Sequence, residues 1–378
     1  MAGLYVHIPF CKKRCLYCDF FSTTLLERRE EYVTALVREI EARKQEAGEP
    51  IRTIYIGGGT PSTLEVAQIQ RILAAAGTQG VEEITMELNP GDAAKPYLQA
   101  LRETGINRLS IGIQSFRDEL LQLIGRRHSA EQAIQAVQMA QEAGFDNLSI
   151  DLIYALPTQT MAQWIADIET AISLKVQHIS SYGLMYEEGT ALTTMRDRGE
   201  VTPVDEDTEN DMYDTLCARL KEAGFIHYEV SNFALPGFRS RHNSSYWTDE
   251  SYIGLGAGAH SYDARLRIRS WNVSDLNRYI DATGKGIRPC EQETLTDGQH
   301  RIERIMLGLR TSEGIEKSLL DSTPSSLSAG STTAHSIPRS QARLHDYLSQ
   351  GLLRDTGTRY VVTRDGIRLL NRIIGDII

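Results

Sequence analysis

Five cysteines in 378 residues are too few to brace a chain of this size with disulfides. Long apolar runs are missing as well: no stretch approaches the roughly 18 residues of a membrane span. Residues Met1 to Cys18 lack the basic segment, long apolar stretch and small-residue cleavage site of a secretory leader, so a reducing cytosol is the expected compartment. Basic residues are outnumbered 40 to 50, and the net charge of −10 argues against non-specific binding of nucleic acid or an anionic membrane. Aromatics reach only 7%, but with 41% hydrophobic and 24% charged residues the chain is neither disordered nor fibrous. Its length accommodates one large α/β domain with an appendage, or two to three medium domains.

The few cysteines are unevenly spread. Cys11, Cys15 and Cys18 fall in one short loop, whereas Cys217 and Cys290 stand alone. Three thiols crowded together in a reducing compartment point to a metal or cluster site, or to a redox pair.

Most of the chain alternates strand and helix. Gly3 to Ile8 reads as a short strand that leads into the cysteine loop, and a polar helix is expected from about Glu27 to Ala47. Thr53 to Ile56 reads as a buried strand ending in the turn Gly57-Gly58-Gly59-Thr60-Pro61. Leu64 to Ala76 has helical spacing, and Glu83 to Leu88 is another strand. An internal repeat supports the pattern: Glu103-Thr104-Gly105-Ile106 through Ile111 resembles Glu142-Ala143-Gly144-Phe145 through Ile150, and Glu222-Ala223-Gly224-Phe225 begins a third copy. Each copy is a helix end, a glycine suited to the left-handed C′ position, then a strand. Such connections predict βα units around a parallel sheet, either open or closed into a barrel. About six strands are expected through His178 to Tyr182, with one more near Ile226 to Val230.

From Ser231 the sequence reads as loops rich in Gly, His and aromatics. Helices are expected at Val273 to Ala282 and Thr296 to Leu309. A stretch dense in Ser, Thr, Pro and Gly follows, and reads as a linker over 321–340. The tail, 341–378, offers a helix, a hairpin around Asp355-Thr356-Gly357 and a last helix over Arg364 to Ile374, in the manner of a small winged-helix module. Residues 339–378 carry seven arginines against four aspartates, an excess too small for a phosphate-binding face.

Structural zinc wants four ligands, and no fourth Cys or His lies near the three cysteines except His7, inside the expected strand. A Cys15/Cys18 redox pair leaves Cys11 without a role. An iron–sulfur cluster held by three thiolates uses all of them and leaves one iron open to an outside ligand, for which the amino and carboxylate groups of S-adenosylmethionine (SAM) are suited. The run from Tyr5 through Cys11, Cys15 and Tyr17 to Cys18 resembles the cluster loop of radical-SAM enzymes, most closely the oxygen-independent coproporphyrinogen III oxidase group. The resemblance extends over nearly the whole chain. It implies an α/β fold: a partial (β/α)6 TIM-like barrel over 1–232 carrying the 4Fe-4S loop, followed by an α+β C-terminal region, 233–320, and the linker and tail.

The same resemblance implies a SAM site. A plain tight turn would account for the glycines alone, but beside the cysteine loop they match the family's glycine motif. Tyr5, Tyr17, Gly58, Gly59, Thr60, Glu87, Gln114, Arg126 and Asp151 match SAM-contacting positions, with Arg126 placed to pair with the carboxylate and Glu87 or Asp151 to accept from ribose hydroxyls. Read by charge pattern alone, Arg126-Arg127-His128 is a solvated basic patch. Glu87, Gln114 and Asp151 end strands, where a parallel barrel gathers its site.

Two departures separate the chain from the oxidase. The oxidase carries a fourth cysteine where this sequence has Phe20, and a longer segment before the loop than the ten residues preceding Cys11 here. Both place the chain nearer the family's haem-chaperone branch. The resemblance then implies haem as cargo, haem-accepting proteins as partners (membrane-associated respiratory proteins among them), a reduced electron donor and scope for a homodimer. Arg241-His242-Asn243-Ser244-Ser245-Tyr246-Trp247 matches that branch's His-Asn-x-x-Tyr-Trp motif, which makes His242 the haem-binding candidate, although a lone loop histidine beside aromatics is more often simply packed. His260 is a second histidine expected to face the cavity. The competing reading is a radical enzyme acting on a porphyrinogen. Whether the chain is an enzyme stays open at this stage.

Overall fold

The computed structural model describes residues 2–46, 48–321 and 339–378, so residues 322–338 of the expected Ser-rich linker lie outside the described residues. Six parallel strands form the middle of one sheet: β1 (Ala2–Ile8), β2 (Ile51–Gly58), β3 (Glu83–Leu88), β4 (Arg108–Gln114), β5 (Leu148–Tyr154) and β6 (His178–Gly183), side by side in sequence order. Helices Arg29–Arg43, Val66–Ala76, Lys95–Glu103, Ala130–Glu142 and Met161–Ser173 make the crossovers.

Side chains on successive strand residues point to opposite faces. One face here is aliphatic: Leu4, Val6, Ile54, Ile56, Ile84, Met86, Leu109, Ile111, Ile150 and Leu152 are buried in a core shared with Leu36, Ile40, Ile69, Leu98, Val137 and Ile168 of the helices. The other face carries Tyr5, Tyr55, Thr85, Glu87, Ser110, Asp151 and Ser180. Parallel strands packed on both faces normally read as continuous apolar runs. The alternation here leaves one face lined for polar chemistry.

Several helices start where side chains cap them. Ser129 with Gln132, Thr160 with Gln163, and Thr296 with Gln299 form reciprocal capping boxes that satisfy N–H groups with no partner inside the helix. The repeated helix ends behave as the sequence predicts: Gly105, Gly144 and Gly224 have φ of 98°, 90° and 87°. The third copy, however, does not add a seventh parallel neighbour. β7 (Ile226–Glu229) is separated from β6 by β8 (Asn232–Ala234), which runs antiparallel to both.

At the other end the sheet continues beyond β1. The region read as loops from Ser231 holds β9 (Tyr252–Leu255), parallel to β1, and then β10 (His260–Asp263), β11 (Ile268–Asn272) and β12 (Cys290–Thr294), all antiparallel. It also holds the helix Arg241–Tyr246. The sheet therefore has twelve strands in an open order with β7 and β12 at its edges; β1 and β6 do not pair, and the barrel is partial.

The C-terminal region is α+β. A three-stranded antiparallel sheet places β15 (Arg359–Val362) between β13 (Ile315–Glu316) and β14 (Leu353–Asp355). Ile305, Leu309 and Ile315 share its core with Tyr347, Leu353, Leu370, Ile373 and Ile377, so residues from both sides of the Ser-rich segment build it. The single last helix expected over Arg364 to Ile374 comes as two, Arg364–Ile367 and Leu370–Ile377, because Gly366 sits tight against the carbonyl of Leu352 and Leu369 leaves the helical region. Among the described residues, no helix is long and apolar enough to cross a membrane.

Candidate functional site

The loop that follows β1 is closed at its neck. Cys11 N–H donates to the Thr23 carbonyl (2.8 Å) and Thr23 N–H to that of Pro9 (2.7 Å). Further round, Leu16 N–H donates to Ile124 O, and Leu192 N–H to Leu16 O. Cys11, Cys15 and Cys18 are free thiols, and all three line one cavity of about 570 Å³ at the C-terminal ends of the parallel strands. Burial pushes the Cys11 thiol up and that of Cys18 up to about 11, with neighbouring cysteines adding to both. Thiols that line one cavity favour neighbours that donate hydrogen bonds or carry positive charge. Two donors are at hand: the neutral Thr60 Oγ1 donates to Cys11 Sγ (3.5 Å) and the cationic Arg126 Nη1 to Cys15 Sγ (3.4 Å).

The thiols do not converge on one point. Among the described residues no three His, Cys, Asp or Glu side chains are drawn together around a single point. A polynuclear cluster spreads its ligands further apart, and the space for it is kept by glycine: a Cβ on Gly59 would lie 3.0 Å from Cys11 Sγ and 2.9 Å from the Pro9 carbonyl carbon.

The polar face of the sheet supplies the rest of the lining. Gly57 and Gly58 belong to β2, not to the turn after it. Gly58 has a φ of 114°, and its N–H donates to Glu87 Oε2 (3.1 Å), while Tyr55 OH donates to Oε1 (3.0 Å). Asp151 accepts from Ser110 Oγ (3.2 Å). Burial pushes Glu87 up to about 7, aided by Asp151, and burial raises Asp151 as well. A pair of carboxylates in this state holds protons readily and accepts hydroxyl or ammonium donors well. Arg126 donates to the Gly112 carbonyl and has a buried Nε with no partner among the described residues, a donor left unsatisfied. Gln114 sits at a bulge in β4 in the left-handed region, φ 72°, a strained backbone of the kind that collects at binding sites.

Tyr17, Gly58, Gly59, Thr60, Glu87, Gln114, Arg126 and Asp151 thus meet the three cysteines at one cavity. Arg126 is largely buried among them, which corrects the solvated-patch alternative. Tyr5 lies one layer back: it stacks on Tyr55 and hydrogen-bonds His7 Nδ1 (3.1 Å), without lining the cavity.

His242 is a clearer correction. It is fully buried at the N-terminal end of the strands, beneath the site. Nδ1 is hydrogen-bonded to Thr53 Oγ1 (2.8 Å) and Nε2 to Tyr246 OH (2.9 Å), the ring stacks on Tyr55, and the backbone N–H donates to Glu83. Burial, reinforced by Arg108, holds its pKa down to about 3. Neither ring nitrogen has a lone pair free for iron in this arrangement. From the same motif Asn243 reaches the main cavity, whereas Ser244 and Trp247 line a second one of about 400 Å³ against the C-terminal region. His260 does not face the cavity either; it is exposed on β10 and stacks on Trp271.

Sequence reasoning passed over several lining groups: Tyr55, Ser180, Tyr182 and Met185. Strand alternation could have found Tyr55, Ser180 and Tyr182, which share a face with Glu87 and Asp151. It also passed over Arg108, almost wholly buried, whose Nε and Nη1 have no partner among the described residues.

Comparison with known proteins agrees with this geometry. The radical SAM superfamily model matches residues 5–171, the segment that carries the cysteine loop and β1 to β5. The heme chaperone HemW of Lactococcus lactis is 40% identical over 316 residues, 82% of each chain, and that of Bacillus subtilis is 33% identical over 383 residues, 99% of this chain and 98% of the other. The chain belongs to the HemW family. A HemN C-terminal domain model matches residues 295–369, within the C-terminal α+β region that the Bacillus subtilis relative also covers. Among solved structures, the coproporphyrinogen III oxidase HemN of Escherichia coli superposes with a TM-score of 0.80 at 22% identity, over 100% of this chain and 89% of the other. That likeness establishes for this HemW-family chain the radical-SAM fold, a partial barrel with an α+β C-terminal region.

Proposed function

We propose that this protein is a haem chaperone: it binds haem and passes it to acceptor proteins, using a 4Fe-4S cluster on Cys11, Cys15 and Cys18 and an exchangeable SAM. The observation that carries the reading is the single cavity in which three free thiols of one loop face the polar strand ends of a HemW-family chain. Cluster and SAM together supply one-electron reduction of the sulfonium centre. The chain's own groups do the rest. Arg126 offers its unsatisfied Nε to the SAM carboxylate, and Gly58 and Gly59 let the backbone approach the amino group. Glu87 and Asp151 accept from the ribose hydroxyls.

The cytosol is the matching compartment, with a reduced electron donor, acceptors that include membrane-associated respiratory proteins, and a homodimer as further parts of the scheme. The test is anaerobic reconstitution followed by haem titration, transfer of the bound haem to an apo-acceptor, and incubation with reductant, SAM and coproporphyrinogen. Haem uptake and transfer without protoporphyrinogen formation supports the chaperone. Protoporphyrinogen formation would instead make the protein a porphyrinogen oxidase.

A further inference from the structure

A haem site needs a flat apolar wall, a neutral donor for the iron and cations for the propionates. Among the described residues no histidine lines the main cavity, and His242 has both ring nitrogens engaged. Three of the large apolar side chains the protein exposes line that same cavity, and their exposure puts them on its solvent side: Met185 is 68% exposed, Phe20 64% and Tyr182 43%. Exposed apolar residues scattered singly mean little, but three on one rim make a surface. Lys13 and Arg14 line the same opening, both exposed, and neither forms an ion pair among the described residues.

We infer that haem docks across this mouth, its ring against Phe20 and Tyr182, its propionates toward Lys13 and Arg14, and its iron ligated by the Met185 thioether. This rests on the haem-carrying reading and places the cargo within it. Met185 follows β6 directly, and its unbranched side chain gives sulfur the reach and softness of an axial ligand. Tyr182 is the poorer donor, since a phenol stays protonated at neutral pH. Glu87 and Asp151 deeper in the cavity offer propionates no cation, which keeps haem at the mouth and leaves the interior to the cofactor. Cys11, Cys15 and Cys18 are committed to the cluster.

The test is haem titration of the anaerobically reconstituted full chain, reading affinity together with the absorption and electron paramagnetic resonance signature of the iron ligand. Wild type, Met185→Ala, Met185→His and Trp247→Ala are compared, with cluster absorbance as the check on folding. Met185→Ala is expected to weaken haem binding about tenfold or more and to change the signature; Met185→His restores affinity with a nitrogen-ligated spectrum. Met185→Ala with wild-type affinity and spectrum overturns the inference, as does loss confined to Trp247→Ala, which would put haem in the second cavity. If the wild type itself takes up no haem, the chaperone reading falls first.

Discussion

Glu87, at the end of β3, accepts the backbone N–H of Gly58 on the neighbouring strand at 3.1 Å, so one carboxylate both shapes the glycine run and faces the cavity. Because burial lifts its pKa to about 7 from the ordinary 4.5, native Glu87 keeps a proton that the unfolded chain releases. Its ionisation therefore costs stability progressively as pH rises from about 4.5 to 7, and the cost levels off above that, at up to roughly 3 kcal/mol. Glu87→Gln should match wild type near pH 4.5 and exceed it at pH 8 in urea unfolding of the cofactor-free protein. A constant difference between the two curves would show that Glu87 is ionised in the native state throughout. Glu229, buried and likewise pushed up to about 7, adds a similar slope to both proteins and cancels in the comparison.

His242 should prove a fastener, not a ligand. His242→Ala removes two side-chain hydrogen bonds and the stack on Tyr55, and is expected to cost about 2–4 kcal/mol in chemical denaturation. Haem affinity of the folded fraction should stay within about twofold of wild type. A new haem spectrum with unchanged stability would restore His242 as a ligand. The buried neutral ring also predicts stability that is full above pH 6.5 and declines as pH falls toward about 3.

Gly59→Ala tests the cradle. The added methyl meets Pro9, Phe10 and the Cys11 sulfur within 3.0 Å, and most of those atoms are backbone that cannot swing aside. Iron per chain after reconstitution should fall at least about twofold, with secondary structure by circular dichroism intact. Full iron loading in the variant would show that the loop has more room than the structure gives it.

Arg126→Lys keeps the charge but loses the fork that holds Cys15 Sγ, the Gly112 carbonyl and the unsatisfied Nε together. SAM affinity by equilibrium dialysis should drop about tenfold or more. An unchanged value would remove Arg126 from the cofactor site.

What was legible in the sequence was local. Three cysteines on one loop reveal their chemistry by spacing, and helix ends such as Glu142-Ala143-Gly144 reveal the βα rhythm because a C′ glycine acts within one turn. What was not legible depended on distant partners. His242 looks like an exposed ligand beside Tyr246 and Trp247, yet its surroundings come from Thr53 and Glu83, 189 and 159 residues away. The strands β9 to β12 are four or five residues long, and β9 has a glycine within it and another after it; β1 offers β9 an edge, and β10 to β12 add on in turn. Met185 carries no motif, and only its exposure at the mouth singles it out.

β1, whose residues Gly3 to Val6 pair on one side with β2 and on the other with Tyr252 to Leu255, lies in the interior of the sheet although it is made first. Its second edge stays bare until about 250 further residues have been synthesised, a separation that makes the last pairing slow. The cysteine loop hangs directly from that strand. Without its second neighbour β1 would hold that loop less firmly, so a truncation before Tyr252 should lower iron loading on reconstitution.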